Sequence, residues 1–134
     1  MSIVVCIDGN LSKQVFDTAV HFARDGDTLQ LVHVTTTSAD ELERQSKYWE
    51  METEKLRANH DGLTLTTTVL PLRRNASVAD TLVAYCTENQ PALVILAAVE
   101  LMKTSGDQPL GSVSLAMAAE CTVPICITRN FSAL

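Results

Sequence analysis

The chain has 134 residues, 46% of them hydrophobic and 19% charged. A chain of this length buries about two-thirds of the surface its unfolded form exposes, so residues 1–134 are read as a single domain with one core. Sixteen acidic against ten basic side chains leave a net charge of −6, a surface that repels nucleic-acid phosphates and anionic lipid headgroups.

Other function classes are excluded by pattern. No run of about 18 apolar residues is present to span a bilayer. The first residues enter a strand directly, without the basic, apolar and small-residue regions of a secretory signal, so the expected compartment is the cytoplasm. Cys6, Cys86, Cys121 and Cys126 form no C-x-x-C pair and have no His at zinc spacing, which predicts reduced, mostly buried thiols rather than a metal site or a disulfide framework.

Apolar strand-like runs alternate with helical periodicity, the order that builds parallel βαβ units and an α/β fold. Ile3 to Ile7 is the first strand. A helix follows from about Ser12 to Arg24, with Val15, Phe16, Ala19, Val20 and Ala23 on one face, and Gly26 closes it. Leu29 to Val34 is the second strand. Ser38-Ala39-Asp40-Glu41 is a capping box opening a second helix that runs to about Ala58. The four-residue spacings Asp40/Arg44 and Glu43/Lys47 predict ion pairs on its solvated face.

After Gly62, the Thr-rich alternation of Leu63 to Leu70 predicts an edge strand with one polar face. Pro71 to Ser77 is a loop, and Asn75 or Ser77 caps a third helix with Val78, Ala79, Leu82, Val83 and Cys86 on its apolar side. Leu93 to Leu96 is wholly apolar and must be covered on both faces, which makes it central. The irregular segment from Ala97 to Leu110 leads to a helix from about Ser112 to Glu120. Pro124 to Thr128 is the fifth strand.

Four motifs in this order resemble those of the universal stress protein family: Ile3 to Asp8, His33-Val34, Gly111 to Ser114, and Pro124 to Ile127. The resemblance spans nearly the whole chain. It implies a three-layer open sandwich, a five-stranded parallel sheet in the order 3-2-1-4-5 with two helices on each face. It also implies a homodimer paired antiparallel through the fifth strand, which in that order is an apolar edge. With strand four between them, Cys6 and Cys126 would stand roughly 9.5 Å apart and remain unbridged.

An open α/β sheet binds ligands at the carboxyl ends of its strands, where the strand order reverses. Here that point lies between strands one and four. The turn at Gly111 to Ser114 would offer backbone N–H groups, outward-facing Ser112 and Ser114 hydroxyls and a helix dipole to a phosphate; the same residues also serve as an ordinary helix cap. The resemblance places Asp8 and Val34 beside an adenosine, and Gly111, Ser112, Val113 and Ser114 at phosphate oxygens.

Nucleotide-binding members carry Gly-x-x-Gly, nine residues, then Gly-Ser/Thr. Counting back from Gly111 puts Ala98 and Leu101 at the first two glycines, and counting from the end of strand four puts Ala97 and Glu100 there. Neither register supplies a glycine, so a side chain stands where the backbone approaches the phosphates. Glu100 and Asp107 add negative charge, with Lys103 the only nearby cation in sequence. The expected cofactor is therefore none, or weakly held ATP or AMP. The expected function is a stress-response regulator acting by protein contacts, with a nucleotide-dependent switch as the alternative.

Enzymatic readings find less support. A receiver domain would need an acidic pair after strand one, an Asp after strand three and a Lys after strand five, where this chain has Asp8-Gly9, Leu70-Pro71 and Thr128-Arg129. Gly9-Asn10-Leu11-Ser12 is a faint match to a flavodoxin phosphate loop. No G-x-S-x-G elbow occurs, and Ser114 has no His near it in sequence. The resemblance leaves open slow ATP hydrolysis or autophosphorylation. His21, His33 and His60 share no metal-ligand spacing. Arg73 and Arg74 form a basic pair at the carboxyl edge, read first as a solvated loop.

Overall fold

The computed structural model describes residues 1–7, 13–35, 38–72, 74–98 and 112–129. Strands and helices alternate: β1 (Ser2–Ile7), α1 (Lys13–Phe22), β2 (Thr28–Thr35), α2 (Ala39–Arg57), β3 (Thr64–Pro71), α3 (Val78–Asn89), β4 (Leu93–Ala98), α4 (Ser112–Glu120) and β5 (Ile125–Arg129). The sheet is parallel in the order β3-β2-β1-β4-β5, as the family resemblance implies. β1 sits at its centre, with Val5 opposite Leu31 on one side and Ile95 on the other.

Because successive side chains of a strand point to opposite faces, each central strand feeds two cores. Ile3, Val5, Leu29, Leu31 and Ile95 turn to the layer holding Val15, Phe16 and Ala19 of α1 and Trp49 of α2. Val4, Val32, Val94 and Leu96 turn to the layer holding Leu82 and Cys86 of α3 and Met117 of α4. Helices on both faces leave no wet side for β1, β2 or β4, which explains their near-continuous apolar runs. Tyr85 of α3 donates its hydroxyl to Gln30 of β2 at 2.6 Å, and Gln30 donates to Ser2 of β1 at 2.6 Å, tying helix and strands together.

Local chemistry sets the element boundaries. α1 ends at Phe22, two residues before the expected Arg24, because the Arg24 N–H is taken by the Asp27 carboxylate at 2.9 Å and the Asp27 N–H by the Arg24 carbonyl at 2.9 Å. Gly26 makes that turn with φ of 91°. Ser38 caps α2 by accepting from the Glu41 N–H, one half of the expected capping box, while the Glu41 carboxylate turns along the helix instead of back to the cap. Glu41 receives Gln45 Nε2 at 3.0 Å and pairs with Arg44 at 2.9 Å. Arg44 thus meets Glu41, one residue closer, instead of the expected Asp40. The Glu43–Lys47 pair forms at 3.2 Å.

Of the two candidate caps for α3, Ser77 is the one used, and its box closes with Asp80 in both directions. Asn75 instead takes a left-handed backbone, φ of 60°. Val78, expected on the apolar side, is exposed as the first residue of the helix. Cys6 and Cys126 are free thiols on opposite sheet faces with β4 between their strands.

Candidate nucleotide site

The strand order reverses between β1 and β4, whose onward connections lead to opposite sides of the sheet. Their carboxyl ends, Ile7 and Ala98, define the crevice where an open α/β sheet accepts a ligand. Asp8 and Gly111 lie outside the described residues, as do Arg73, Glu100, Leu101, Lys103 and Asp107.

One wall is built from α4. Its first residue is Ser112, so the unpaired backbone N–H groups of its first turn and the positive end of its dipole lie at this edge of the sheet. The Ser114 hydroxyl points the other way from the sequence expectation. It is 2% exposed and donates to the Ala97 carbonyl of β4 at 3.1 Å. That bond seats the helix on the strand and commits the hydroxyl, which corrects the reading of Ser114 as facing a phosphate. Val113 is half-buried against the α3–α4 core. The first turn of α4 therefore offers an anion its backbone.

The opposite wall comes from the end of β2. His33 pairs in register with Ile7, is buried, and has Nδ1 3.0 Å from the Ile7 carbonyl. In the tautomer that donates this bond, Nε2 is left as an acceptor. The Trp49 ring lies behind it, centroids 5.8 Å apart. Val34, the next residue, is half-buried against the same core layer as Val113. Thr35 is buried and its carbonyl takes the Leu72 N–H at 2.8 Å, holding the ends of β2 and β3 together.

Ala97 and Ala98, the two candidates for the first glycine of the phosphate loop, both belong to β4 and stand opposite Thr128 and Arg129 of β5. The structure thus brings Ser114 onto Ala97, and Val34 and Val113 into one layer. The sequence reading missed Trp49 and the positioning contact of His33; the His33-Val34 motif was the available signal for the second. A shallow depression lined by Arg24, Asp25, His60 and Gly62 lies at the other edge, ahead of β2 and β3. Among the described residues, no three His, Cys, Asp or Glu side chains are grouped to hold a metal ion, and no helix is long and apolar enough to cross a membrane.

A family model described as the universal stress protein family matches residues 1–129. No curated protein matches the sequence. Solved structures that share the fold include a universal stress protein in complex with cAMP, 21% identical with a TM-score of 0.71, the alignment covering 96% of each chain. A universal stress protein from Archaeoglobus fulgidus is 17% identical with a TM-score of 0.70, covering 95% of this chain and 92% of that one. A family protein from Arabidopsis thaliana with AMP bound is 13% identical with a TM-score of 0.65, covering 98% and 94%. The shared architecture and a family match running from the first residue through β5 lead to one assignment: this chain belongs to the universal stress protein family.

Proposed function

We propose that this protein is a stress-response regulator that works in the cytoplasm through protein contacts, with weak adenine-nucleotide binding or none. The observation that carries the reading is the phosphate end of the crevice. Ala97 and Ala98 are ladder residues of β4, neither loop register places a glycine, and the Ser114 hydroxyl is spent on the Ala97 carbonyl. A phosphate would meet side chains where close backbone approach is needed and would have fewer hydroxyl donors.

The second reading, a nucleotide-dependent switch, is favoured by the α4 N-terminus at the reversal point and by neighbours solved with cAMP, AMP and dAMP. In either case we propose a homodimer closed through β5. Ile125, Cys126 and Ile127 are only half-buried there, and among the described residues the outer edge of the strand has no partner strand in the sheet. Mass spectrometry of protein purified without added nucleotide, combined with thermal shift on addition of ATP or AMP, separates the readings. The contact-regulator reading expects no retained nucleotide and little shift. Stoichiometric retained nucleotide would overturn it in favour of the switch.

A further inference from the structure

Three thiols face the α3–α4 core: Cys6 from β1, Cys86 from α3 and Cys121 from the end of α4. Their environments differ in access. Cys86 is 1% exposed, whereas Cys121 is half-buried. Both backbones are held by helix-end hydrogen bonds. The Cys86 carbonyl accepts the N–H of the left-handed Gln90 at 2.8 Å, and the Cys121 N–H donates to the Met117 carbonyl at 2.9 Å. α3 is further pinned to β2 through the adjacent Tyr85.

From this placement we propose that Cys86 and Cys121 form a peroxide-sensitive dithiol site, in which Cys121 is oxidised first and Cys86 resolves it into a disulfide joining α3 to α4. Cys121 packs against the core cluster that holds Cys86, and burial first, with the Cys121 thiol as a lesser cause, pushes the Cys86 thiol up to about 12. A thiol so protected is a poor first target for an oxidant, because the thiolate is the reactive form. It can still serve as the resolving sulfur once its neighbour carries a leaving group. Cys6 is raised too, by burial first and then by the Cys86 and Cys121 thiols; set in the central strand β1 rather than at a helix end, it is expected to remain a thiol.

The chemistry balances with a hydroperoxide as the oxidant. The Cys121 thiolate attacks the peroxide, the O–O bond breaks, and sulfenic acid and hydroxide (or an alkoxide) form. The Cys86 sulfur then attacks the Cys121 sulfur. The S–O bond breaks, the Cys86 proton leaves with the hydroxyl as water, and the S–S bond forms. The two thiols are oxidised by two electrons and the peroxide is reduced by two.

The test is treatment of the full chain with hydrogen peroxide, followed by non-reducing peptide mapping by mass spectrometry. The expected product is a Cys86–Cys121 disulfide lighter by two hydrogens and reversed by dithiothreitol, in the wild type and in Cys126→Ser. Cys86→Ser should leave Cys121 as a sulfenic acid captured by dimedone, and Cys121→Ser should leave Cys86 a free thiol. Should Cys86→Ser fail to fold, Cys86→Ala and the wild-type map carry the same decision. A wild-type map with Cys121 overoxidised or unreacted while Cys86 stays free would overturn the proposal. So would a bridge through Cys6 or between two chains.

Discussion

The Ser114 hydroxyl gives a direct test of how the phosphate end of the crevice is built. In Ser114→Ala, β4 loses the donor that reaches the Ala97 carbonyl at 3.1 Å in a site only 2% exposed. A net intramolecular hydrogen bond is worth about 0.5–1.5 kcal/mol, and a buried acceptor left without a partner costs about 1–3 kcal/mol. Taking the region where those two ranges overlap gives about 1.5 kcal/mol. Alanine returns about 0.5 kcal/mol through its better helix propensity. The net expectation is about 1 kcal/mol of destabilisation, or roughly 4 °C in Tm for a domain of this size. Urea unfolding followed by circular dichroism reads the stability, and calorimetry reads ATP binding. The variant should unfold earlier with nucleotide affinity unchanged. An unchanged midpoint together with a loss of ATP affinity would refute the reasoning, because it would put the hydroxyl on the ligand side.

Four other outcomes are expected. ATP should bind the unmodified chain in the micromolar range or weaker, and Ala98→Gly with Leu101→Gly should tighten binding by calorimetry if the register anchored on Gly111 holds. Ile127→Pro should remove a strand hydrogen bond at the β5 edge and shift light scattering from dimer toward monomer; a monomeric unmodified chain at micromolar concentration would contradict the proposed pairing. The Arg24 N–H and then the amino terminus hold the Asp27 carboxyl below its ordinary value of 3.8, so its stabilisation is complete above that value and is lost as pH falls through the lower folded one. Asp27→Asn should therefore flatten the acid end of a stability–pH profile. Gly26→Ala should cost about 1–2 kcal/mol in chemical denaturation from the left-handed backbone alone, since an added Cβ there meets nothing within 4 Å.

The alternation of strands and helices and the Ser38 cap were legible because both follow from short-range rules, whereas the strand order came from the family resemblance. The Ser38 cap and the apolar run of β4 depend on the residues beside them. Trp49 was not legible. Only Trp49 and Thr53 of the nineteen-residue α2 are buried, and so narrow an apolar stripe is lost among charged neighbours. The Ser114 direction was equally hidden, since a serine two residues into a helix can face a ligand or reach back to a strand. The choice was made by a carbonyl seventeen residues away. Arg44 shows the same limit on a smaller scale, because Asp40 and Glu41 lie four and three residues before it and it pairs with Glu41.

The central place of β1 also bears on how the chain is made. Of the five strands it is made first, yet one of its two pairing edges waits for β4, whose matching residues begin at Leu93. With β2 and β3 already docked, synthesis of the stretch through α3 and β4 takes about 1–5 s at ~5–20 residues per second. Throughout that interval Ile3-Val4-Val5-Cys6-Ile7 presents an open apolar edge, a template for pairing with any other nascent strand. The segment that anchors the finished sheet is thus the one most dependent on protection while translation is still under way.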